Sequence, residues 1–427
     1  MKNSGVEWIG EIPEEWEVSK IGQLYEERRT KVSDTVYPPL SVTMQGILPQ
    51  LETAAKSDAH DDRKLVLKGD FAINSRSDRR GSCGISEHDG SVSLINTVIH
   101  PKTEMNPIYY NWLFHSFRFS DEYYKNGHGI VDDLWTTSWS EMKRIFIPLP
   151  PKSIQQHIAS YLDKKCSKIE ETIQNQQQVI EKLKNYKQSL ITEAVTGKIK
   201  IQNGKVCGKY QSYKESGVEW IGKIPSEWKC KRLKFIVNSF KKGNGITKDE
   251  VFVNGDTPCV RYGELYTKYN YSFTECFSKT RKDVLQTLQY FSYGDILFTC
   301  TGELIEEIGK NTVYLGNEKC LAGGDLIIVS HSQNPSFLSY ALNSNYAQTQ
   351  KSMGKAKLKV VHISAREIGN ILTILPPIEE QERIANFLDK QCIAIESSIE
   401  KKQNLIEKLT EYKKSLIYEC VTGKKEI

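Results

Sequence analysis

The 427-residue chain has no apolar run approaching the roughly 18 residues of a membrane-spanning helix. Its start, Met-Lys-Asn-Ser-Gly-Val-Glu-Trp, shows no apolar stretch of signal-peptide type. None of the ten cysteines stands in a Cys-x-x-Cys pair, and the eight histidines never fall at His-x-x-x-His spacing. A zinc site or a disulfide framework is therefore not expected. Cys166 and Cys392 read as small buried hydrophobes, and a reducing, cytoplasmic setting is the expectation. Gly-x-x-x-x-Gly-Lys-Ser/Thr is absent, which argues against ATP-driven work in this chain. Pro-Asp, the familiar start of a nuclease metal site, and Gly-x-Ser-x-Gly are absent too. Glu-x-Lys occurs at Glu400 and Glu411, but on a long helix, the wrong scaffold for such a site.

A strong excess of one charge is also missing. The net charge is +5, with residues 1–151 at −5 (17 basic, 22 acidic) and residues 201–377 at +7 (23 basic, 16 acidic). Only the second segment hints at a polyanionic partner. The 39% hydrophobic and 26% charged content is that of an ordinary globular protein.

What the chain does have is a duplication. Residues 149–198 and 375–424 align at an offset of 226 with 28 of 50 positions identical. Both copies open with Leu-Pro-Pro and close with Val-Thr-Gly-Lys. Between those marks a four-three spacing runs through Leu162, Cys166, Ile169, Ile173, Gln176, Ile180, Leu183, Lys187, Leu190 and Ala194. The second copy has Leu388, Cys392, Ile395, Ile399, Lys402, Ile406, Leu409, Lys413, Leu416 and Cys420. That spacing is the seam of a two-stranded coiled coil, and the simplest partner for each copy is the other. The prolines fit a helix start and Gly197 and Gly423 a left-handed C-terminal cap. Gln176 with Lys402, and Lys187 with Lys413, make polar layers that either fix register or snorkel outward.

A second repeat sets the plan. Ser-Gly-Val-Glu-Trp-Ile-Gly-x-Ile-Pro-x-Glu-Trp occurs at residues 4–16 and 216–228. This opening motif reads as a packing element that docks on a helix end. The expected divisions are 1–151 (motif and first globular segment), 152–199 (spacer helix), 200–215 (a polar, mobile linker), 216–377 (motif and second globular segment) and 378–427 (second helix). Strands are expected at 65–74 (two pieces meeting at Gly-Asp), 91–99, 294–299 and 322–329, with helices over 107–119 and from Pro335.

Asn106-Pro-Ile-Tyr109 and Asn334-Pro-Ser-Phe337 approach the Asn-Pro-Pro-Tyr/Phe motif that holds a flipped adenine. Both lack the second proline and read as turns before helices. The chain therefore reads as a binding and positioning protein. Arg76, Arg79 and Arg80, on a Gly/Ser-rich loop after a strand, are candidates for phosphate or guanine contact. The plain alternative is a solvated loop partnering Asp78 and Glu87. Lys351, Lys355, Lys357 and Lys359 are phosphate candidates against a plain solvated surface. Lys125 and His128 beside the Gly127–Gly129 loop, Arg261, and Thr301 in the loop after the second Gly-Asp strand complete the candidate DNA-contact set.

In this order and duplication the motifs resemble the specificity subunit of type I restriction–modification systems, over essentially the whole chain. The residues carrying the resemblance are the two Trp-Ile-Gly-x-Ile-Pro-x-x-Trp copies, Pro39-Leu-Ser-Val-Thr43 and the Gly-Asp strands. To these add Leu-Pro-Pro-x-x-x-Gln-x-x-Ile-x-x-x-Leu-Asp opening each helix and the Val-Thr-Gly-Lys closures. The resemblance implies an α+β fold with two mixed α/β target-recognition domains. Two long α-helices separate them as an intramolecular antiparallel coiled coil with pseudo-two-fold duplication. It implies that each domain reads half of a bipartite, asymmetric double-stranded DNA site. It further implies assembly with two modification subunits and with restriction (motor-nuclease) subunits. The methyl donor, ATP and magnesium belong to those partners and none to this chain. The competing readings are a coiled-coil adaptor with two protein-binding heads, and an enzyme with an unrecognised site.

Overall fold

A computed structural model describes residues 1–50, 60–129, 135–218, 221–285, 287–302, 304–355 and 361–427. The chain forms two compact units: Met1–Gln177 with Lys402–Ile427 is unit 1, and Gln178–Lys401 is unit 2. Both long helices contribute to both units, so the division falls within them and not at their starts.

The long helices are Lys152–Val195 and Ile378–Val421, 44 residues each, or about 66 Å at ~1.5 Å per residue. They stop short of the expected 199 and 427, because Gly197 and Gly423 turn to φ of 71° and 72°. Lys198 N then donates to Glu193 O at 2.9 Å and Lys424 N to Glu419 O at 2.8 Å. This is the six-to-one bond of a Schellman cap, which satisfies carbonyls the helix leaves free. A second constraint acts at both glycines. A Cβ on Gly423 would lie 2.4 Å from Pro13 Cδ, and one on Gly197 2.4 Å from Pro225 Cδ. In each unit the opening motif thus docks on the C-terminal end of one long helix. Tyr418 completes the clasp in unit 1, its hydroxyl donating to Trp8 O and Ile9 O at 3.1 and 3.2 Å.

Every seam position is buried or half-buried. In unit 1 Leu162, Cys166, Ile169, Leu416 and Cys420 join the main core, with Ile173 and Leu409 packed against it. Lys402 Nζ donates to Gln176 Oε1 at 3.0 Å and Lys413 pairs with Glu170. The partner number rises as the first falls, so the helices run antiparallel. In unit 2 Lys187 Nζ meets Glu396 Oε1 at 3.1 Å, and Ile180, Leu190, Leu388, Ile395 and Ile399 are buried, with Leu183 half-buried, as Ile406 is in unit 1. Gln176 and Lys402 do form one layer. Lys187 and Lys413 do not face each other; each reaches a glutamate on the opposite helix.

The head of unit 1 is built on the antiparallel sheet order Cys83–Ile85, Phe71–Asn74, Asn96–Pro101, Tyr25–Glu27. Side chains alternate across it. Phe71, Ile73 and Ile99 enter the main core, while Ala72 and Val98 face a smaller core with Leu40, Ile47, Val66 and Val92. The Gly-Asp turn works through its carboxylate. Gly69 takes φ 92°, and Asp70 Oδ2 accepts from Leu67 N at 2.8 Å and from Arg28 Nε at 2.5 Å. In unit 2 Gly294 and Asp295 repeat this, with Ser292 N donating at 2.8 Å.

Three expectations need revision. The single strand over 91–99 is two, Gly90–Val92 and Asn96–Pro101, in different sheets. Likewise 322–329 divides into Cys320–Ala322 and Leu326–His331 around Asp325 at φ 58°. The helical stretch over 107–119 breaks at Ser116 into Pro107–His115 and Phe117–Lys125. The linker carries a short hairpin. Ile201–Gln202 pairs with Lys205–Val206 across Asn203-Gly204, whose φ values of 52° and 70° fit the type I′ turn that Asn-Gly favours.

The head of unit 2 has a five-stranded sheet, Val237–Lys242, Leu326–His331, Ile296–Thr299, Asn311–Tyr314 and Ser272–Phe273, whose last pair alone is parallel. A four-stranded sheet of Ser278–Thr280, Thr257–Val260, Cys320–Ala322 and Tyr290–Phe291 accompanies it.

Candidate nucleic-acid interface

In unit 1 the strand Phe71–Asn74 runs into the 3-10 turn Ser77–Arg79. Asn74 Oδ1 accepts from Arg76 N at 3.0 Å, which bends the chain out of the sheet. Arg76 and His128 both bridge Thr136, and Ser77 N donates to Trp135 O at 3.0 Å. Trp135 Nε1 donates to Tyr124 O at 2.7 Å. These bonds gather three chain segments around a depression of about 680 Å³ lined by Ser77, Asp78, Arg80, Asp121, Tyr124, Lys125 and Trp135. Arg76, Arg79 and Arg80 thus share one surface region with Lys125 and His128, which lie far along the sequence from them.

Its cations are loosely paired. Arg79 lies 3.8 Å from Asp78, Arg80 3.7 Å from Asp121, and Lys125 3.3 Å from Glu7. Asp121, not Glu87, is the carboxylate beside Arg80, whose guanidinium also stands 5.1 Å over the Tyr124 ring. Such exposed pairs are worth about 0–1 kcal/mol, so a phosphate can replace the carboxylate at little cost.

Unit 2 builds the same corner with different side chains. Ile363 N donates to Cys300 O at 2.8 Å, as Thr137 N does to Ser75 O at 2.9 Å. Thr301 pairs with His362 as Arg76 pairs with Thr136, and Thr301 Oγ1 lies 3.2 Å from His362 Nδ1. Thr301 therefore occupies the place of Arg76. Arg261 lines a depression of about 470 Å³ with Lys248, Lys268, Tyr262 and Phe277. Asp325 borders it, and its backbone carbonyl accepts from Cys300 N at 2.8 Å, which ties the rim of the depression to the residue before Thr301. Lys248, Lys268 and Phe277 were not among the candidates. The interleaved run of bases and aromatics from Arg261 to Tyr271 was the signal for Lys268.

The lysine run behaves otherwise. Lys351 is not on the surface. It is 2% exposed, and its Nζ donates to Gly309 O at 2.7 Å and Asn311 Oδ1 at 3.0 Å. It leaves the phosphate-contact set, because its helix Asn345–Ser352 turns that face inward. Lys355 is engaged with His362 O, at 2.6 Å, and with Glu367. Lys357 and Lys359 lie outside the described residues.

Burial lowers the Lys351 ammonium to about 7. Unfolded, the group titrates near ~10.4. Between those values the unfolded chain holds the extra proton, so stability is lost as pH falls from about 10 towards 7 and regained as it rises. Wild-type stability is expected to gain on Lys351→Met by at most about 1.4 kcal/mol per pH unit between pH 7 and 9. Urea unfolding at pH 7, 8 and 9 reads this; parallel curves for the two proteins would contradict it.

The Asn-Pro fragments are structural. Asn106 Oδ1 caps Tyr109 N at 3.0 Å and Asn334 Oδ1 caps Phe337 N at 2.9 Å. Their backbone N–H groups donate to Gln155 and Gln381 of the long helices, at 2.9 and 3.1 Å. Tyr109 and Phe337 are fully buried, so neither ring is open to stack on a base. Among the described residues no group of three or more His, Cys, Asp or Glu is placed to hold a metal ion, and no helix is long and apolar enough to cross a membrane.

The profile of the type I restriction modification DNA specificity domain matches residues 13–182 and 225–408. The chain is 25% identical to the type I restriction enzyme MjaVIII specificity subunit of Methanocaldococcus jannaschii, over 97% of this chain and 93% of that one. It is 24% identical to the EcoKI specificity subunit of Escherichia coli K12, over 61% of this chain and 53% of the other. A chain solved in work on complex assembly and conformational transition of the type I R-M system shares its fold. The TM-score is 0.71 at 15% identity, over 97% of this chain and all of that one. The HsdS subunit from Thermoanaerobacter tengcongensis follows at TM-score 0.51 and 16% identity, over 97% and 98% of the two chains.

Proposed function

We propose a role that starts from one fact: the chain belongs to the type I restriction–modification DNA specificity family. It is the specificity subunit of a type I complex, and each head reads one half of a split, asymmetric DNA sequence. The observation that carries this reading is the repeated corner. A strand end and its following loop are bridged to a second segment at Arg76 in unit 1 and at Thr301 in unit 2. The scaffold is the same and the side chains differ, as two unlike half-sites require. The long helices set the distance between them, as dimer geometry sets half-site spacing in other DNA-binding proteins.

Arg76, Arg79, Arg80, Lys125 and His128 serve unit 1, and Arg261 and Thr301 serve unit 2, Lys355 contributing once a phosphate displaces Glu367. Residues 1–151 are net acidic, so partner subunits supply much of the phosphate neutralisation. Those partners are two modification subunits that bind the methyl donor and methylate adenine, and motor-nuclease subunits that use ATP and magnesium. This chain carries the address and no bond-breaking step. The setting is the cytoplasm, where the DNA is.

Binding of the assembled complex to a split-site duplex is expected to weaken steeply with salt. Each neutralised phosphate contributes about −0.9 to the slope of log K against log salt. Arg79→Ala and Arg80→Ala together should flatten that slope by about 2 if both meet phosphates. A salt-independent interaction would favour the protein-binding adaptor instead.

A further inference from the structure

We propose that Gln348 and Lys351, one helical turn apart, are positioning residues for the reading loop of unit 2. They fix where segment 304–309 stands, and through it which bases that half accepts. The inference rests on the DNA-reading role of the corner beginning at Thr301.

The segment leaves the sheet after the short strand Thr301–Gly302 and returns at Asn311–Tyr314. Among the described residues between them, the segment's own backbone bonds are turn bonds, such as Glu307 N to Leu304 O at 3.1 Å. Carbonyls outside a ladder need other donors. The helix Asn345–Ser352 supplies them. Gln348 Nε2 lies 3.3 Å from both Ile305 O and Ile308 O, and Lys351 Nζ lies 2.7 Å from Gly309 O. From the other side Tyr266 hydroxyl meets Thr301 O at 2.8 Å and Glu307 O at 3.4 Å.

Lys351 is an expensive choice for packing alone. Its amine is buried, no carboxylate pairs with it among the described residues, and its partners are neutral oxygens. A methionine would fill the same space without desolvating an amine. What the amine adds is a directed bond to the end of the loop. Gly309 is seated on the lysine stem: a Cβ there would lie 3.2 Å from Lys351 Cδ, at a φ of +63°. Asn311 Oδ1 takes a further bond from the same Nζ at 3.0 Å, and Asn311 Nδ2 ties to Ser339 O at 3.3 Å. The loop is thereby referenced to rigid elements, the condition for exact base discrimination by side chains on it. Unit 1 reaches the same end by another residue. Tyr124 hydroxyl donates to Asn74 O at 3.1 Å and lies 3.4 Å from Arg79 O. Each loop therefore has its own grip.

The test uses the complex assembled on the full-length chain and maps the adenines it methylates in random-sequence DNA. Lys351→Met and Gln348→Leu are each expected to relax base preference about tenfold or more in the half-site read by unit 2. The unit 1 half and the gap should stay sharp in the same molecules. A folding defect lowers total methylation but leaves the ratio of matched to mismatched sites alone, so the ratio separates positioning from mere stability. Gln348 is only half-buried, which keeps one variant foldable if the other is not. If both variants keep a sharp motif in both halves, or blur both halves equally, the inference is overturned. If the wild-type chain directs no split motif, the underlying DNA reading fails and takes this inference with it.

Discussion

Replacing residues 229–375 with the corresponding segment of another such chain is expected to change one half of the recognised sequence completely. The other half and the gap should stay as they were. The physical ground is that unit 2 holds its own core and its own reading corner. Val260, Leu297, Phe273 and Tyr314 pack within it, and Thr301, Arg261 and the segment 304–309 are all bonded to residues of the same unit. The opening motif and both long helices stay native in such an exchange, so Pro225 and Trp228 still close on Gly197. The loss of binding to the original half-site should exceed 100-fold, since each mismatched base pair costs about 1–3 kcal/mol and several change at once. Selection of bound duplexes from a random pool checks it. A change in both halves, or in neither, contradicts the independence of the two heads.

Lengthening the helix pair should move the half-sites apart without altering either one. Seven residues inserted after Gln177, with seven between Lys401 and Lys402, preserve the four-three seam and add about 10 Å at ~1.5 Å per residue. That is about three base pairs at ~3.4 Å each. Gln176 and Lys402 bond across the pair at this level, so both helices must grow together. A four-residue insertion adds about 6 Å, or nearly two pairs, and shifts the seam locally in the manner of a stutter. The preferred gap is expected to grow by about three pairs for seven residues, with affinity for the parental gap falling at least tenfold. Duplexes with graded spacers read the outcome. An unchanged gap contradicts the role of the helices as a spacer.

The long helices were legible because their signal is local and repeated. Ile169, Ile395, Leu190 and Leu416 stand at heptad spacing whatever else the chain does, and Gly197 and Gly423 announce their ends. The docking of the opening motif was legible as an idea, from its tryptophans and isoleucines. The glycine it would meet was not, because Pro13 and Gly423 are 410 residues apart. Strands were legible one at a time and misjudged where two abut. Residues 91–99 look like one apolar run, and only the sheet partners reveal that Val92 and Val98 belong to different sheets. Asn203-Gly204 is a hairpin signal masked by the polarity of its neighbours.

The candidate site divides in the same way. Arg79 and Arg80 follow a strand and stand exposed, as a loop between Gly/Ser residues suggests. Lys351 shows why charge alone misleads. Four lysines in nine residues suggest a basic surface, yet whether the first faces water depends on where residues 304–309 lie, some forty positions earlier. The equivalence of Arg76 and Thr301 was hidden too, since an arginine and a threonine share no chemistry. It emerges only from the strand pairing that places both at the same corner.

The most direct measurement is a map of the methylated adenines in DNA modified by the complex built on this chain. The expected result is one asymmetric motif in two parts, separated by a fixed number of unspecified base pairs, with a methylated adenine in each part. A continuous motif, a symmetric one, or methylation without sequence preference would contradict it.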